Sequence, residues 1–320
     1  MRLGLVLVGV LALAGCDSLN SIRPAPRHTS LPAAGDLILT GEFDNHEQVQ
    51  AGGGVSVPHV VETLRMTQND RNGHWWLWRL QSNDTHTTTD AAWLYRIASA
   101  DNGARFTFTP YRALDEAANK SLRDSKDGDF KIDEKQWAEL APCAMNGERK
   151  NGTLVVAADN AACSALLPGL GGNAGLLPLK LTFDGEILAT TTFADQARGA
   201  TASIDARRVR WFGGWSAING AGSKAKIDSK DWHTRQDLKL GSEGGKVPVR
   251  WRDGASSGYS IELVRRTYPE RKLSVLQLSV IDDASGQVMD YTWADPNSSV
   301  IGLNLGWLQI GLTFDASASR

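Results

Sequence analysis

Cysteine is scarce in this chain: three residues in 320, at positions 16, 143 and 163. That supply excludes a disulfide-dense scaffold and a four-thiolate zinc centre. An excess of one charge is also missing. The 34 basic and 36 acidic side chains are interspersed, leaving no basic stripe to track a phosphate backbone, so nucleic acid is excluded as the expected partner. Beyond the first residues no apolar run approaches the roughly 20 residues of a transmembrane helix. The six histidines, His28, His46, His59, His74, His86 and His233, fall into no HExxH or paired spacing, and no metal site is read from them. No GxSxG elbow, Walker loop, dinucleotide fingerprint or internal repeat occurs. Isolated carboxylates are plentiful, but spacing selects no catalytic pair. Residues 123–134 imitate a calcium loop through Asp127-Gly128-Asp129 and Glu134. Arg123 stands where such a loop requires Asp, so the segment reads as a charged turn.

The N-terminus is the most specific feature present. Arg2 supplies a minimal positive region, residues 3–13 are apolar, and Leu13-Ala14-Gly15-Cys16 closes the run with small residues and a thiol. A short apolar run before a small-residue cleavage site reads as a signal peptide. Cys16 stands where bacterial lipoprotein processing needs a thiol to receive diacylglycerol. The reading is a signal peptide over 1–15, lipidation (the palmitate-bearing type of modification) at Cys16, and a tether over 16–35. The tether carries Pro24, Pro26 and Pro32 without apolar periodicity. This implies a bacterial envelope protein anchored to a membrane by its lipid and facing the periplasm. Asp17 favours inner-membrane retention in enteric bacteria, but the choice between inner and outer membrane stays open. An oxidising compartment makes the remaining even pair, Cys143 and Cys163, a disulfide. The rival, a metal site, lacks nearby ligands at suitable spacing.

Tryptophan is abundant, with 11 residues, and glycine frequent, with 32. The apolar residues come in short β-branched or aromatic runs bounded by Gly, Asn and Asp, which reads as a mostly-β protein. Strands are expected over 36–43, 60–68, 74–81, 92–97, 104–111, 154–157, 179–183, 187–193 and 207–212. Helices are expected over 45–50 and 114–122. Turns are expected at 69–73, 101–103 and 184–185. Sequential strands with tight turns suggest an up-and-down meander, and closing it into a barrel removes exposed edges. Alternation on 74–81 puts Trp76, Trp78 and Leu80 on one face and Trp75 and Leu77 on the other, so both faces need cover. After Trp215 the composition shifts toward Gly, Ser, Lys and Asp. A second strand series, over 247–252, 259–265, 273–281, 287–293 and 300–314, is expected to form a small sheet or to pack on the barrel. The expected domains are a lipocalin-like antiparallel β-barrel over 36–215 and a C-terminal β extension over 216–320.

Several ordered segments resemble the CpcT/CpeT chromophore lyase family, whose relatives attach bilins to phycobiliproteins. The family's opening G-x-F-x-N-x-x-Q appears within Leu39-Thr40-Gly41-Glu42-Phe43-Asp44-Asn45-His46-Glu47-Gln48. Its proline-tyrosine-arginine signature appears as Pro110-Tyr111-Arg112, after Phe106 and Phe108. Cys143, Gly152 and Cys163 match its cysteine-spaced block. Asp195, Arg198 and Gly199 resemble its Asp-Arg-Gly turn, stretched, and Arg210-Trp211-Phe212 closes the match. The resemblance implies a lipocalin-like barrel with an open mouth that holds a bilin or other tetrapyrrole. It also implies thioether formation between a bilin vinyl group and a cysteine of an acceptor protein. The lipid signal and the C-terminal extension depart from the family, so the resemblance implies the barrel more firmly than the reaction.

The residues singled out for ligand binding are Tyr111, Arg112, Trp76, Trp78 and Trp93. Arg112 matches a propionate with its guanidinium fork. The tryptophans are either core or the wall of a barrel cavity. Three functions compete. The first is a carrier of a hydrophobic or tetrapyrrole-like ligand, with lyase activity by resemblance. The second is a protein-binding envelope lipoprotein of the inhibitor or immunity type. The third is a structural envelope protein. An open cavity lined by Trp and Arg favours the first, and a filled barrel with an exposed sheet edge the second. The lipid assignment has a direct test. Cys16→Ser expressed in its bacterial host is expected to keep the leader uncleaved and to lose radiolabelled acyl incorporation. Unchanged labelling would refute the assignment.

Overall fold

The computed structural model describes residues 39–51, 59–70, 73–82, 89–125, 130–166, 170, 175–192, 203–226 and 229–318. The signal peptide, Cys16, the tether and the Asp195-to-Gly199 segment lie outside the described residues, as does part of the 123–134 turn. The chain divides into two units, Met1–Asp36 and Leu37–Arg320. Among the described residues no helix is long and apolar enough to cross a membrane.

The protein is mostly β, and its first part is a closed antiparallel barrel. Its strands are β1 (Gly41–Asp44), β2 (Val60–Asp70), β3 (Gly73–Ser82), β4 (Thr89–Ala100), β5 (Arg105–Ala113), β7 (Met145–Lys150), β8 (Thr153–Ala157), β9 (Pro178–Phe183), β10 (Ile187–Thr192) and β11 (Ile204–Arg208). The order is β4-β3-β2-β1-β11-β10-β9-β8-β7-β5, and pairing of β4 with β5 closes the ring. A short β6 (Trp137–Glu139) pairs with β5 outside the ring. The turns follow the sequence: Asp101, Asn151 and several glycines adopt positive φ where the hairpins reverse.

Period-2 alternation fills the interior. Phe43, Leu64, Trp76, Trp78, Trp93, Tyr95, Phe108, Leu154, Leu181 and Leu188 belong to one buried cluster. The opposite face of β3 is covered too. Trp75 and Leu77 join Leu94, Tyr111, Ala118, Leu122 and Trp137 in a second cluster beneath α2 (Glu116–Asp124). Asp115 caps α2 by accepting from Ala118 N at 2.7 Å. At the other end Arg79 of β3 donates to the Leu122 and Ser125 carbonyls, which pins the helix across the barrel wall. The cysteine pair is a buried disulfide, Cys143–Cys163, joining the chain before β7 to the short helix α3 (Asn160–Ser164).

The opening G-x-F-x-N-x-x-Q segment is a fastening. Gly41 has φ 148°, and an added Cβ would lie 2.5 Å from the Arg208 guanidinium. That guanidinium is itself stacked on Phe43 and Phe183. Asn45 accepts from Val60 N at 2.8 Å, and Gln48 bonds Ser203 O and Asp205 N. The motif ties the start of α1 (His46–Ala51) to both β2 and the strand that closes on β1.

The C-terminal part is a β-sandwich. One sheet runs β13-β12-β19-β18 and the other β14-β15-β16-β17. The strands are β12 (Trp211–Asn219), β13 (Trp232–Gly241), β14 (Glu243–Arg250), β15 (Ser256–Tyr268), β16 (Leu273–Asp282), β17 (Val288–Ala294), β18 (Val300–Asn304) and β19 (Leu308–Phe314). Phe212, Ile218, Leu240, Ile261, Leu263, Leu278, Ile310 and Leu312 form their shared core.

Four details differ from expectation. The run 207–212 is two strands, broken at Val209-Arg210, where the chain leaves the barrel. There Arg210 donates to the Pro296 and Ser298 carbonyls. The run 300–314 is a hairpin that turns at Gly306, φ 80°. Strand β13 lies in the segment set aside as polar. It is an edge strand whose half-exposed, charged pattern hides its period. The boundary placed at Trp215 falls inside β12.

A buried side chain, Arg265, links the two parts. Arg265 of β15, 4% exposed, donates to Glu243 Oε1 at 2.6 Å, to Glu186 Oε1 at 2.5 Å and to Arg208 O at 2.7 Å. Glu186 and Arg208 belong to the barrel, Glu243 to the sandwich. Arg207 adds a second cation 3.6 Å from Glu243. Removing Arg265 leaves Glu243 buried beside a single, more distant cation. Arg265→Met is expected to lower unfolding free energy by about 3 kcal/mol, the scale for breaking a buried pair, as measured by urea denaturation.

Candidate functional site

A cleft opens where β5 changes partners. Residues Arg105 to Phe108 pair with β7, and Tyr111 to Ala113 pair with β6. Pro110 sits between the two pairings. It has no N–H to lose from the ladder, and its carbonyl accepts from Leu140 N at 2.9 Å. Beyond it, Tyr111 and Arg112 border a cleft of about 460 Å³ against α2, with Trp93, Trp137, Asn119 and Arg123 also in its wall. The structure thus brings together three of the expected ligand residues: Trp93, Tyr111 and Arg112.

Their environments differ. Arg112 is exposed, and no described residue pairs with it. Tyr111 is buried, its ring 4.7 Å from Trp75, and it donates to Glu139 Oε2 at 3.4 Å. Burial pushes its hydroxyl above the usual tyrosine range. Trp93 belongs to the barrel core while also lining the cleft. Its indole N–H is buried and has no hydrogen-bond partner among the described residues.

Trp76 and Trp78 lie inward of this cleft, in the packed interior. Trp78 is the register partner of Trp93, and Trp76 of Tyr95. Among them sits Glu62, fully buried on β2. Trp78 Nε1 donates to Glu62 Oε2 at 2.8 Å and Thr190 Oγ1 donates to the same oxygen at 3.2 Å. Glu62 Oε1 and the Trp76 indole N–H have no partner among the described residues. Burial pushes the Glu62 carboxyl up to about 7, with both hydrogen bonds opposing the shift. Three unpaired polar atoms therefore surround Trp78, each carrying a desolvation cost of about 1–3 kcal/mol.

The sequence reading missed Glu62, although a signal was present: it shares a strand face with Leu64, a lone acid on an apolar face. It also missed a contact between distant histidines. His59 Nε2 lies 2.7 Å from Asp44 Oδ1, and the His46 ring is 5.6 Å from that of His59. Burial outweighs the pull of the Asp44 carboxylate and lowers the His46 pKa. Among the described residues no group of three or more His, Cys, Asp or Glu could hold a metal.

Comparison with family models finds no match to the chain, and no curated protein matches it. Function therefore rests on the residues themselves.

Glu62 gives stability a readable pH dependence. Its folded pKa lies above its unfolded value of 4.5, so between them the folded state holds a proton that the unfolded state has lost. The contribution is favourable below about pH 4.5 and is lost as pH rises toward 7, at about 1.4 kcal/mol per unit of pKa difference. Glu62→Gln keeps an acceptor for Trp78 and removes the titration. Urea denaturation from pH 4.5 to 8 is expected to show a difference between wild type and variant that moves in the variant's favour as pH rises. Glu243, also pushed up to about 7 by burial, titrates in both proteins and cancels in that difference.

Proposed function

We propose that this protein is a lipid-anchored envelope barrel, facing the periplasm, that binds a hydrophobic, anionic ligand of the bilin or tetrapyrrole type in the cleft beside α2. One observation carries the reading. The cleft combines an unpaired cation, Arg112, with the aromatic wall of Trp93, Tyr111 and Trp137, and Trp93 keeps a buried N–H without a partner. Its volume of about 460 Å³ falls in the range of small-molecule sites. Aromatic faces supply apolar contact, the guanidinium selects a carboxylate, and the indole N–H offers a donor to a ligand carbonyl.

The resemblance to chromophore lyases points the same way, since its proline-tyrosine-arginine signature is what shapes the cleft. Attachment to an acceptor cysteine would add a thiol S–H across a ligand vinyl group, the proton going to carbon. The buried disulfide supports an exported location, because such bonds persist in oxidising compartments.

The packed interior favours a second reading, the protein-binding lipoprotein of the inhibitor or immunity type. In it the Trp cluster is core and the cleft is only the seam beside α2. Titration separates the two. Biliverdin is expected to quench tryptophan fluorescence saturably. Trp93→Leu is expected to weaken binding about threefold to tenfold through lost ring contact. Arg112→Ala should weaken it by no more than about 1 kcal/mol, because the side chain is exposed and its pairing screened. Saturable quenching by neither biliverdin nor haem would move the conclusion to the second reading.

A further inference from the structure

Apolar exposure is concentrated on one part of the sandwich. Among the described residues thirteen large hydrophobics are exposed, and seven of them fall between Tyr268 and Val300. Strand register places several on one sheet face: Leu273 lies opposite Tyr268, Gln277 opposite Trp293 and Ser279 opposite Tyr291. Trp293 is 52% and Tyr291 49% exposed, with ring centroids 5.3 Å apart and planes inclined by 30°. An apolar groove of about 560 Å³ runs from Trp293 past Val275 and Leu273 to Tyr268. At its end is the β15–β16 turn, Pro269-Glu270-Arg271-Lys272, which presents two adjacent cations. Strand β17 is the edge of its sheet.

We propose that this face lies against the phospholipid headgroup region of the membrane that carries the Cys16 anchor. The side-chain chemistry selects a bilayer. Trp and Tyr favour the interface between hydrocarbon and water, and flanking Arg and Lys favour phosphate. Trp293 is ready for such a setting, because its indole N–H already donates to Gln277 Oε1 at 3.3 Å. Its ring enters the acyl boundary without stranding a donor. Arg271 and Lys272 at the rim complement anionic headgroups. Twenty-two residues separate Cys16 from Leu39, a contour of at most about 80 Å, which allows the folded part to reach the bilayer that holds its lipid. The diacylglyceryl anchor holds the chain at the bilayer, and a second, protein-borne contact sets the orientation of the folded part. The proposal draws on the anchor reading only for that proximity; the face itself makes the contact.

The test uses the chain beginning at Asp17, which contains every described residue and lacks both leader and lipid. Sedimentation with vesicles of phosphatidylcholine and phosphatidylglycerol at low ionic strength is expected to show binding. Tyr291→Ser with Trp293→Ser should reduce it about tenfold, the effect of losing one to two buried aromatic contacts. Arg271→Glu with Lys272→Glu should reduce it on anionic vesicles and leave little salt dependence. Trp215→Ser, a change at another exposed sandwich tryptophan, should leave binding unchanged. Circular dichroism and urea denaturation verify that each variant folds. In the lipidated protein on the same vesicles, hydrogen exchange should slow in 268–273 and 288–294. No vesicle binding by the wild-type chain, or binding indifferent to both double variants, overturns the proposal. So does a dimer, seen by sedimentation velocity, that buries this face without lipid. Failure of the anchor is separately visible as absent acyl labelling, which leaves the vesicle result readable.

Discussion

The two halves of the molecule meet on a buried guanidinium. Arg265 reaches from the sandwich into the barrel and divides its donors among Glu243, Glu186 and the Arg208 carbonyl. An arginine at 4% exposure is sustained only where acceptors match its fork. Here those acceptors come from three separate strands or turns. The arrangement fixes where β11 ends, hence where β1 meets it, and where β12 departs for the second core. Burial of Glu243 against Arg265 and Arg207 is costly in itself and contributes specificity: a shifted docking of the parts would leave charges without partners.

The barrel solves a different problem. β3 is apolar on both faces, so it needs an interior and an outer cover. α2 supplies the cover, held by the Asp115 cap at one end and Arg79 at the other. The change of partner along β5 then leaves a cleft at the margin of that cover. The cleft consequently lies beside the helix, with Trp93 between it and the interior. Glu62 behind this partition accepts two hydrogen bonds yet keeps one oxygen unpaired, a poor arrangement for stability alone. Retaining such a group in an otherwise apolar barrel is the pattern expected where function and stability compete.

Much of the fold was legible along the chain because its determinants are local. Alternation in 60–68 and 74–81, the Asp184-Gly185 turn and the polar helices over 45–50 and 114–122 each declare their structure within a few residues. The cysteine pair was legible from number and compartment. Strand β13 was not, because an edge strand exposed to water on most of its length needs no apolar alternation. The break at Val209-Arg210 was hidden as well, since the partners of Arg210 there are carbonyls beyond residue 290. For the site, Pro110-Tyr111-Arg112 and Trp93 were visible as residue types, but their convergence with α2 was not.

The sequence alone determined the strand-rich class, most turns and the disulfide partners, each a property of neighbouring residues or of a small count. Tertiary structure decided which tryptophans are core, which two border the cleft, and that burial would push the Glu62 carboxyl up to about 7. The physical reason is that desolvation and hydrogen bonding depend on spatial neighbours: Thr190 bonds Glu62 across 128 residues, and Glu186 bonds Arg265 across 79.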